Sequence, residues 1–423
     1  MGRGGSKPRK PKNRRQAPPT ARGRRSPATG ESLPADVLEP LTRAMPTVLS
    51  ASVPRPPASR TAASGSRPAA AARQRLDVTR FSCSPIDGLD PQALGMTYWL
   101  EDPNELASSR AIRFTGRHVE RDGPGRRDFV LDVPMEPVPA GAGPVAVTAR
   151  VRSVAPGEWQ VQADALSAGS AKLGRRHGSA TGPTGFEPVV RVLAPGVRLY
   201  AWPAFVLLGT ALALVAQLQL ASARDVPASR LLAVTLVACL IGVVGAKAYY
   251  VLTHLSGPRR VSTSGMSIQG FVLAAIGTLT VGALGAGVPI GAALDVTTPG
   301  LLLGMMIGRF GCFFGGCCAG RPTGGRWGLW SSDRVMGVRR IPVQLMESAA
   351  AGVLAVVSAS ILLVLDHPVD GSVFVIGLGS YTLVRQLLFP LRSIPRSTTY
   401  GRAVVMTSAG LVTGASLLTH AVA

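Results

Sequence analysis

Long apolar runs dominate the second half of this 423-residue chain. No charged residue occurs over 199–223 or over 261–294, and further apolar runs follow. About 20 predominantly apolar residues are enough for a helix to cross a bilayer. The pattern therefore predicts an all-α polytopic membrane domain with seven spanning helices, near residues 199–221, 231–254, 267–288, 296–315, 343–365, 371–391 and 403–422.

A different pattern, the alternation of apolar and polar residues, occupies residues 78–170. The segments "GMTYWLED", "AIRFTGRHVE", "RDFVLDVPM", "GPVAVTARVRSV" and "EWQVQADAL" alternate with period two between Gly, Pro and Asp residues. Such alternation is typical of half-buried antiparallel strands and predicts a small β-sandwich-like domain. We see no catalytic cluster in it, which favours a docking or spacer role. Residues 171–196 are interpreted as a linker to the membrane domain at 197–423.

The net charge of +22 is concentrated near the beginning of the chain. Residues 1–75 contain 16 Lys and Arg against three acids, and no Phe, Tyr or Trp precedes Phe81. Such a segment cannot bury enough apolar surface to offset the entropy of ordering, so it is predicted to be disordered. Beside a membrane domain, anionic lipid is the simplest partner for a basic tail. A merely solvated tail is the alternative, and no nucleic-acid partner is expected.

Charged residues inside predicted spans are expensive and therefore informative about function. They are Lys247, Arg309, Glu347 and Arg385, with Asp295 at the entrance of a span. A guanidinium presents a planar fork of donors that suits a phosphate, so an anionic phospholipid headgroup is a natural ligand for the two arginines. The alternative is that Arg309 and Arg385 pair with Glu347 or with backbone carbonyls and hold the bundle together.

The segment "IGRFGCFFGGCCAGRPTGG", residues 307–325, ends the fourth predicted span. A structural zinc site normally needs four ligands, and adjacent Cys317 and Cys318 are not expected to point at one metal together with Cys312. No metal is therefore predicted. A nucleophilic thiolate, a redox pair and simple packing residues remain as interpretations of the cysteines. The glycines allow backbone N–H groups to approach a phosphate beside Arg309.

Six segments over residues 197–392 occur in the order seen in the prolipoprotein diacylglyceryl transferases, and the chain resembles that family. The segment "GRFGCFFGGCCAGR" is similar to the family signature of an arginine followed by glycines, an asparagine and a glutamate. The segments "VRLYAWPAF", "GAKAYYVL" and "GMSIQGFVLAAIG" resemble family motifs upstream of it. The segments "IPVQLMES" and "LVRQLLFPLR" resemble those downstream.

The resemblance implies a multi-pass enzyme of the bacterial inner membrane that needs no cofactor. Its expected substrates are phosphatidylglycerol and the lipobox cysteine in the signal peptide of a prolipoprotein, and its expected reaction is diacylglyceryl transfer in lipoprotein maturation. The implied catalytic residues are Arg309, Arg385, Gln269 and Glu347. The implied substrate-binding residues are Tyr200, Gly270, Gly311, Cys312, Gly316, Cys317, Gly320, Arg321 and Gln344.

The departures from the family pattern fall on polar positions. Gln269 and Ile341 replace histidines, Cys312 and Cys317 replace the asparagine and the glutamate, and Phe389 replaces an acid. The arginines are kept, while most acid–base groups are not. Two other functions therefore stay open: a paralogue that binds phospholipid or signal peptides, and a lipid-modifying enzyme with a cysteine nucleophile.

Membrane orientation is predicted differently by charge and by resemblance. The basic tail and the arginines in 259–260, 321–340 and 392–402 favour a cytoplasmic N-terminal region by the positive-inside rule. The family arrangement begins outside. The charge pattern and the resemblance thus give opposite orientations for seven spans.

Overall fold

The computed structural model describes Met1 and residues 75–79, 86, 88–101, 109–119, 128–167, 178–190, 194–198, 200–254, 266–365, 369–393 and 400–422. The tail predicted to be disordered over 1–75 lies, except for Met1 and Arg75, outside these residues. The chain divides into two units, and apart from Met1 every described residue belongs to the second, Leu33–Ala423.

Within the described residues, seven helices are long and apolar enough to cross a membrane, which confirms the predicted number of spans. They follow a four-residue helix, α1 (Glu187–Val190). The seven are α2 (Ala201–Ala223), α3 (Ala228–His254), α4 (Ile268–Gly285), α5 (Ile290–Gly315), α6 (Val343–Val364), α7 (Ser372–Leu388) and α8 (Gly401–Val422).

Small residues let the first and fourth spans touch along their backbones. A Cβ atom on Gly300 of α5 would lie 2.4 Å from the carbonyl oxygen of Ala213 on α2. A Cβ atom on Gly209 of α2 would lie 2.8 Å from the carbonyl oxygen of Gly304. Close approach through small residues is a common way for membrane helices to associate without a hydrophobic driving force. Helix α5 is thereby fixed against α2.

Helix α5 begins six residues before its predicted start, so Asp295 lies inside the helix and not at its entrance. The Asp295 side chain is buried, and its carboxylate accepts hydrogen bonds from the backbone N–H groups of Gly371 and Phe374, each at 2.8 Å. These groups belong to the beginning of α7, where the first N–H groups of a helix have no partner within the helix. Asp295 therefore caps α7 from a neighbouring helix.

Replacing Asp295 with alanine is expected to lower the free energy of unfolding by about 1–2 kcal/mol, because two partly buried N–H groups lose their acceptor. Denaturant unfolding of the detergent-solubilised protein measures this loss. The control is Asp370→Ala, which removes an exposed carboxylate that only Gly371 separates from the first residue of α7. Equal stability of the two variants would contradict the capping role.

The region before the membrane helices forms two antiparallel sheets. Its strands are β1 (Arg75–Val78), β2 (Gln92–Leu100), β3 (Ala111–His118), β4 (Phe129–Pro134), β5 (Val145–Arg152), β6 (Glu158–Leu166), β7 (Gly178–Pro183) and β8 (Gly185–Phe186). Strands β4, β3, β6 and β7 form one sheet in that order. Strands β7 and β8 lie within the predicted linker, residues 171–196. Because β7 pairs with β6 along its whole length, it belongs to this sheet and not to a linker.

The second sheet includes strands from the membrane domain. Two strands, β9 (Leu329–Ser332) and β10 (Met336–Arg340), form a hairpin between α5 and α6. Met336 pairs with Val147, so the sheet runs β1–β2–β5–β10–β9. Val338 of β10 is fully buried in the same apolar cluster as Tyr98, Phe114 and Trp159. The segment 329–340, whose arginines belong to the orientation signal in the sequence, is thus part of the β-rich region.

The order of the spans fixes which connections share a membrane face. Because α2 to α5 are four consecutive spans, the chain before α2 and the connection between α5 and α6 lie on the same side. The segment after α7 lies there too, since two more spans separate it from that connection. We call this side, which carries both sheets, the β face.

Candidate active site

Glu347 is the centre of a buried ion cluster at the β face. It lies in the first turns of α6 and is fully buried. The Nε atom of Arg309 on α5 lies 2.9 Å from its Oε2 atom, and Nη2 of Arg392, just after α7, contacts its Oε1 atom. Two guanidiniums therefore share one carboxylate, and this joins three separate segments of the chain.

Tyr381 and Arg385 extend this cluster along α7. The buried Tyr381 hydroxyl accepts a hydrogen bond from Arg309 Nη2 at 3.2 Å. One turn further along the same helix face, Arg385 is half-buried and has no hydrogen bond or ion pair with any residue that the structure describes. The ion-pair interpretation thus fits Arg309, whereas the phosphate interpretation fits Arg385. Arg309 pairs with Glu347, and Arg385 has no such pair among the described residues.

The cluster has more positive than negative charge. Arg309, Arg385 and Arg392 contribute three guanidiniums, and Glu347 contributes one carboxylate, which leaves a formal excess of two positive charges. The Nε atom of Arg392 is buried and has no hydrogen-bond partner among the described residues. Buried charges and donors are costly unless they are compensated. The arrangement suits an anion.

Gly311, Gly316 and Gly320 allow the backbone to pack closely. Gly316 ends α5 in the left-handed conformation, with φ of 67°. A Cβ atom on Gly311 would lie 3.1 Å from the Cα atom of Trp202 on α2, and one on Gly320 would lie 2.1 Å from the carbonyl oxygen of Ile341. The glycines thus let the segment after α5 fold back tightly beneath the arginines.

The three cysteines of this segment converge, contrary to the expectation that Cys317 and Cys318 point apart. The sulfur atoms of Cys312, Cys317 and Cys318 all lie within 4.8 Å of one another, and all three thiols are free. The backbone N–H of Cys317 donates to the Cys312 carbonyl at 3.0 Å, which folds the chain back on the helix end. Cys318 has a φ of 55°, a left-handed conformation that turns its thiol towards the other two.

Gln344 belongs to this arrangement. Its side-chain Nε2 donates to the carbonyl oxygen of Cys317 at 3.0 Å. Arg321 lies close by, and its Nε donates to the carbonyl oxygen of Arg392 at 3.3 Å. Both contacts hold the backbone near the ion cluster.

The other predicted residues lie at the β-face ends of α2 and α4. Tyr200 is exposed before the first turn of α2, and Gln269 is exposed in the first turn of α4. A Cβ atom on Gly270 would lie 2.4 Å from the carbonyl oxygen of Gly245, so Gly270 packs α4 against α3. The structure shows no contact between these residues and Arg309 within the part of the chain that it describes.

Arg340, at the end of β10, joins the β-rich region to the ion cluster. It is fully buried, and its Nη1 atom lies 2.9 Å from Glu136 Oε2, in the connection between β4 and β5. Nη2 lies 2.7 Å from Asp333 Oδ2. Nη1 also donates to the Gly320 carbonyl oxygen and to Ser393 Oγ, each at 3.0 Å. Ser393 directly follows Arg392.

Three residues in or beside the ion cluster are not among the site residues that the sequence predicts. Arg392 and Arg340 lie outside the predicted spans, so a search for charges at membrane depth does not select them. Tyr381 lies within a span but carries no charge. Its position one helical turn before Arg385 is the signal that could have identified it, because residues four apart share a helix face.

A family model described as prolipoprotein diacylglyceryl transferase matches residues 188–420, more than half of the chain. Among relatives, phosphatidylglycerol–prolipoprotein diacylglyceryl transferase of Rhodococcus jostii (strain RHA1) is 28% identical over 172 residues, covering 38% of this chain and 48% of that protein. The protein of the same name from Chloroflexus aggregans (strain MD-66 / DSM 9485) is 35% identical over 97 residues, covering 21% and 32%.

The protein of that name from Finegoldia magna (strain ATCC 29328 / DSM 20472 / WAL 2508) is 28% identical over 160 residues, covering 36% of this chain and 63% of that protein. The chain thus spans about half the length of the curated relatives it matches, while most of the β-rich region lies before the matched family region. The extent of the family match and the spanning helices together show that this chain belongs to the prolipoprotein diacylglyceryl transferase family.

Proposed function

We propose that the protein transfers the diacylglyceryl group of phosphatidylglycerol to the lipobox cysteine of bacterial prolipoproteins. In this reaction the acceptor sulfur attacks the glyceryl carbon that carries the phosphate. The carbon–oxygen bond breaks, a thioether forms, and glycerol phosphate leaves. The chemistry needs a cationic site for the phosphate and a way to deprotonate the thiol.

The observation that carries the proposal is the excess of guanidinium groups at one membrane face. Arg309 is held by Glu347 and Tyr381, so its position is fixed before an anion binds. Arg385 and the buried Nε of Arg392 supply donors that no described residue uses. Preorganised donors stabilise negative charge that develops on a leaving phosphate without reorganising during the reaction.

Glu347 is proposed to position the arginines and not to act as the base. Its carboxylate is fully buried, and each of its two oxygens faces a guanidinium. Neither oxygen is therefore free to reach an acceptor thiol. Gln269 is exposed and has no basic group. The means of deprotonating the thiol must therefore lie elsewhere in the site.

The test is transfer by the purified full-length protein in vesicles that contain phosphatidylglycerol. A peptide with a lipobox cysteine should gain the mass of a diacylglyceryl group, and glycerol phosphate should appear in equal amount. A peptide with serine in place of that cysteine is the control and should not react. Binding of phosphatidylglycerol without any transfer would overturn the proposal and favour a phospholipid-binding paralogue.

Replacing Arg385 with methionine is expected to raise KM for phosphatidylglycerol about tenfold or more, while Tm stays equal or rises. The reason is that Arg385 faces the like charges of Arg309 and Arg392, while the nearby acid Glu347 already pairs with both of them. Lipid titration and thermal unfolding measure the two effects. A lower Tm with unchanged KM would show that Arg385 supports the fold and does not bind the phosphate.

A further inference from the structure

Three thiols meet beside the proposed phosphate site. The sulfur atoms of Cys312, Cys317 and Cys318 lie within 4.8 Å of one another. Three thiolates around one zinc ion, with zinc–sulfur bonds of about 2.3 Å, lie roughly 3.8 Å apart. Small side-chain rotations are therefore enough to bring the three sulfurs around one ion. Among the described residues, no fourth histidine, cysteine or acid joins the group, which leaves one position open.

The surrounding charges suit such an ion. Arg309 precedes Cys312 by one helical turn, and Cys318 interacts electrostatically with both Arg392 and Arg309. Zinc with three thiolates carries a net charge of −1, formed from +2 and −3. The ion cluster carries an excess of +2, so the combined charge is +1 before the acceptor binds and zero once its thiolate takes the fourth position. Three thiolates without a metal would instead exceed the available positive charge.

We propose that Cys312, Cys317 and Cys318 bind a zinc ion whose fourth position takes the acceptor cysteine of the substrate. The inference rests on the proposed function and supplies the thiol activation that Glu347 does not. Catalytic zinc sites characteristically have three protein ligands and an open position. A thiol that coordinates zinc is deprotonated by the metal, so no separate base of high pKa is needed.

The proposed step is balanced without a further reactant. The acceptor thiol binds zinc and releases its proton to solvent. The zinc-bound sulfur then uses an electron pair to form the carbon–sulfur bond with the glyceryl carbon, and the carbon–oxygen bond electrons leave with glycerol phosphate. The phosphate group regains a proton from solvent as pH requires. The thioether is a weaker ligand than the thiolate, so the product can dissociate from the metal.

The first experiment measures metal content. Full-length protein purified in detergent with reduced thiols is incubated with zinc chloride, desalted and analysed by mass spectrometry. About one zinc per chain is expected for the wild type and for Cys239→Ser, which changes a free cysteine on α3 outside the cluster. Cys312→Ser and Cys318→Ser are expected to bind zinc more weakly, by about tenfold or more.

A second measurement does not depend on variants. Wild-type protein depleted with a chelator and titrated with cobalt(II) should develop thiolate-to-cobalt charge-transfer absorption that saturates at one ion per chain. A lipobox peptide should change this spectrum, and its serine counterpart should not. No absorption, stoichiometric copper in place of zinc, or a disulfide between two of the three cysteines in protein isolated without reductant would overturn the proposal.

Transfer assays separate this inference from the proposed function. If zinc-depleted protein transfers diacylglyceryl groups as fast as the zinc-loaded protein, the metal inference fails and the transferase function stands. If the protein binds one zinc through the three cysteines but transfers nothing to the peptide, the proposed function fails and the activation of an acceptor thiol fails with it. Loss of transfer on depletion, with recovery on adding zinc chloride, is the expected result.

Discussion

Replacing Arg309 with lysine is expected to lower kcat/KM for diacylglyceryl transfer about 10²–10³-fold. Lysine keeps the charge but has no planar fork, so it cannot pair with Glu347 and also donate to Tyr381 and to a phosphate oxygen in fixed directions. Removing one preorganised donor from a site of developing negative charge typically has an effect of this size. Rates of glycerol phosphate release at varied lipid concentration measure it.

The matched control for this prediction is Arg230→Lys. Arg230 is an exposed arginine on α3 near the opposite membrane face, and its Nη1 donates to the carbonyl oxygen of Ala286 at 3.3 Å. Both substitutions exchange a guanidinium for an ammonium at the end of a span. If Arg309→Lys keeps the wild-type rate while both variants stay folded, Arg309 is a bundle-stabilising residue and the phosphate role is wrong.

The spans were predictable because their signal is local. A helix in the bilayer needs a continuous apolar run, and the sequence displays all seven runs directly. The alternating segments likewise correspond to strands β2 to β6. The start of α5 was placed too late because Asp295 looked like a boundary. Its charge is instead satisfied by the first N–H groups of α7, which a linear pattern does not show.

The site was only partly predictable, because its partners come from distant segments. Arg309 and Glu347 were selected as charges inside spans, and the structure pairs them. Arg392 was counted as an orientation signal in a loop, yet it binds Glu347. The convergence of the cysteines depends on the left-handed conformations of Gly316 and Cys318. Residue spacing carries little information about these backbone angles.

The pairing of β10 with β5 was not predictable from local pattern. The segment 329–340 is short and rich in arginine, so it resembles a polar loop. Its strands gain stability from the sheet that they join, nearly 200 residues away in the chain. Local pattern alone consequently predicts a separate docking or spacer domain. The structure makes it continuous with the segment that follows the cysteine cluster.

This continuity predicts that the β-rich region controls the geometry of the site through Arg340. Replacing Arg340 with methionine is expected to lower the free energy of unfolding by about 3–5 kcal/mol, the usual effect of removing one member of a buried ion network. Glu136, Asp333 and the Gly320 carbonyl oxygen all lose a donor. Ser393 loses one of the three hydrogen bonds of its hydroxyl and keeps those to Glu136 and Gly320, so the adjacent Arg392 is held less firmly against Glu347.

Denaturant unfolding and transfer rates measured below the unfolding transition test the two parts of this prediction. The control is Arg339→Met, because the Arg339 side chain is half-buried and, among the described residues, donates only to the carbonyl oxygens of Gly328 and Arg326 just before β9. Arg339→Met should change the free energy of unfolding and the transfer rate only slightly. Glu136→Gln removes the acid on the β-rich side alone and should slow transfer while the helices stay folded. Full activity in that variant would mean that the contacts of Glu136 with Arg340 and with Ser393 stabilise the junction without positioning the site.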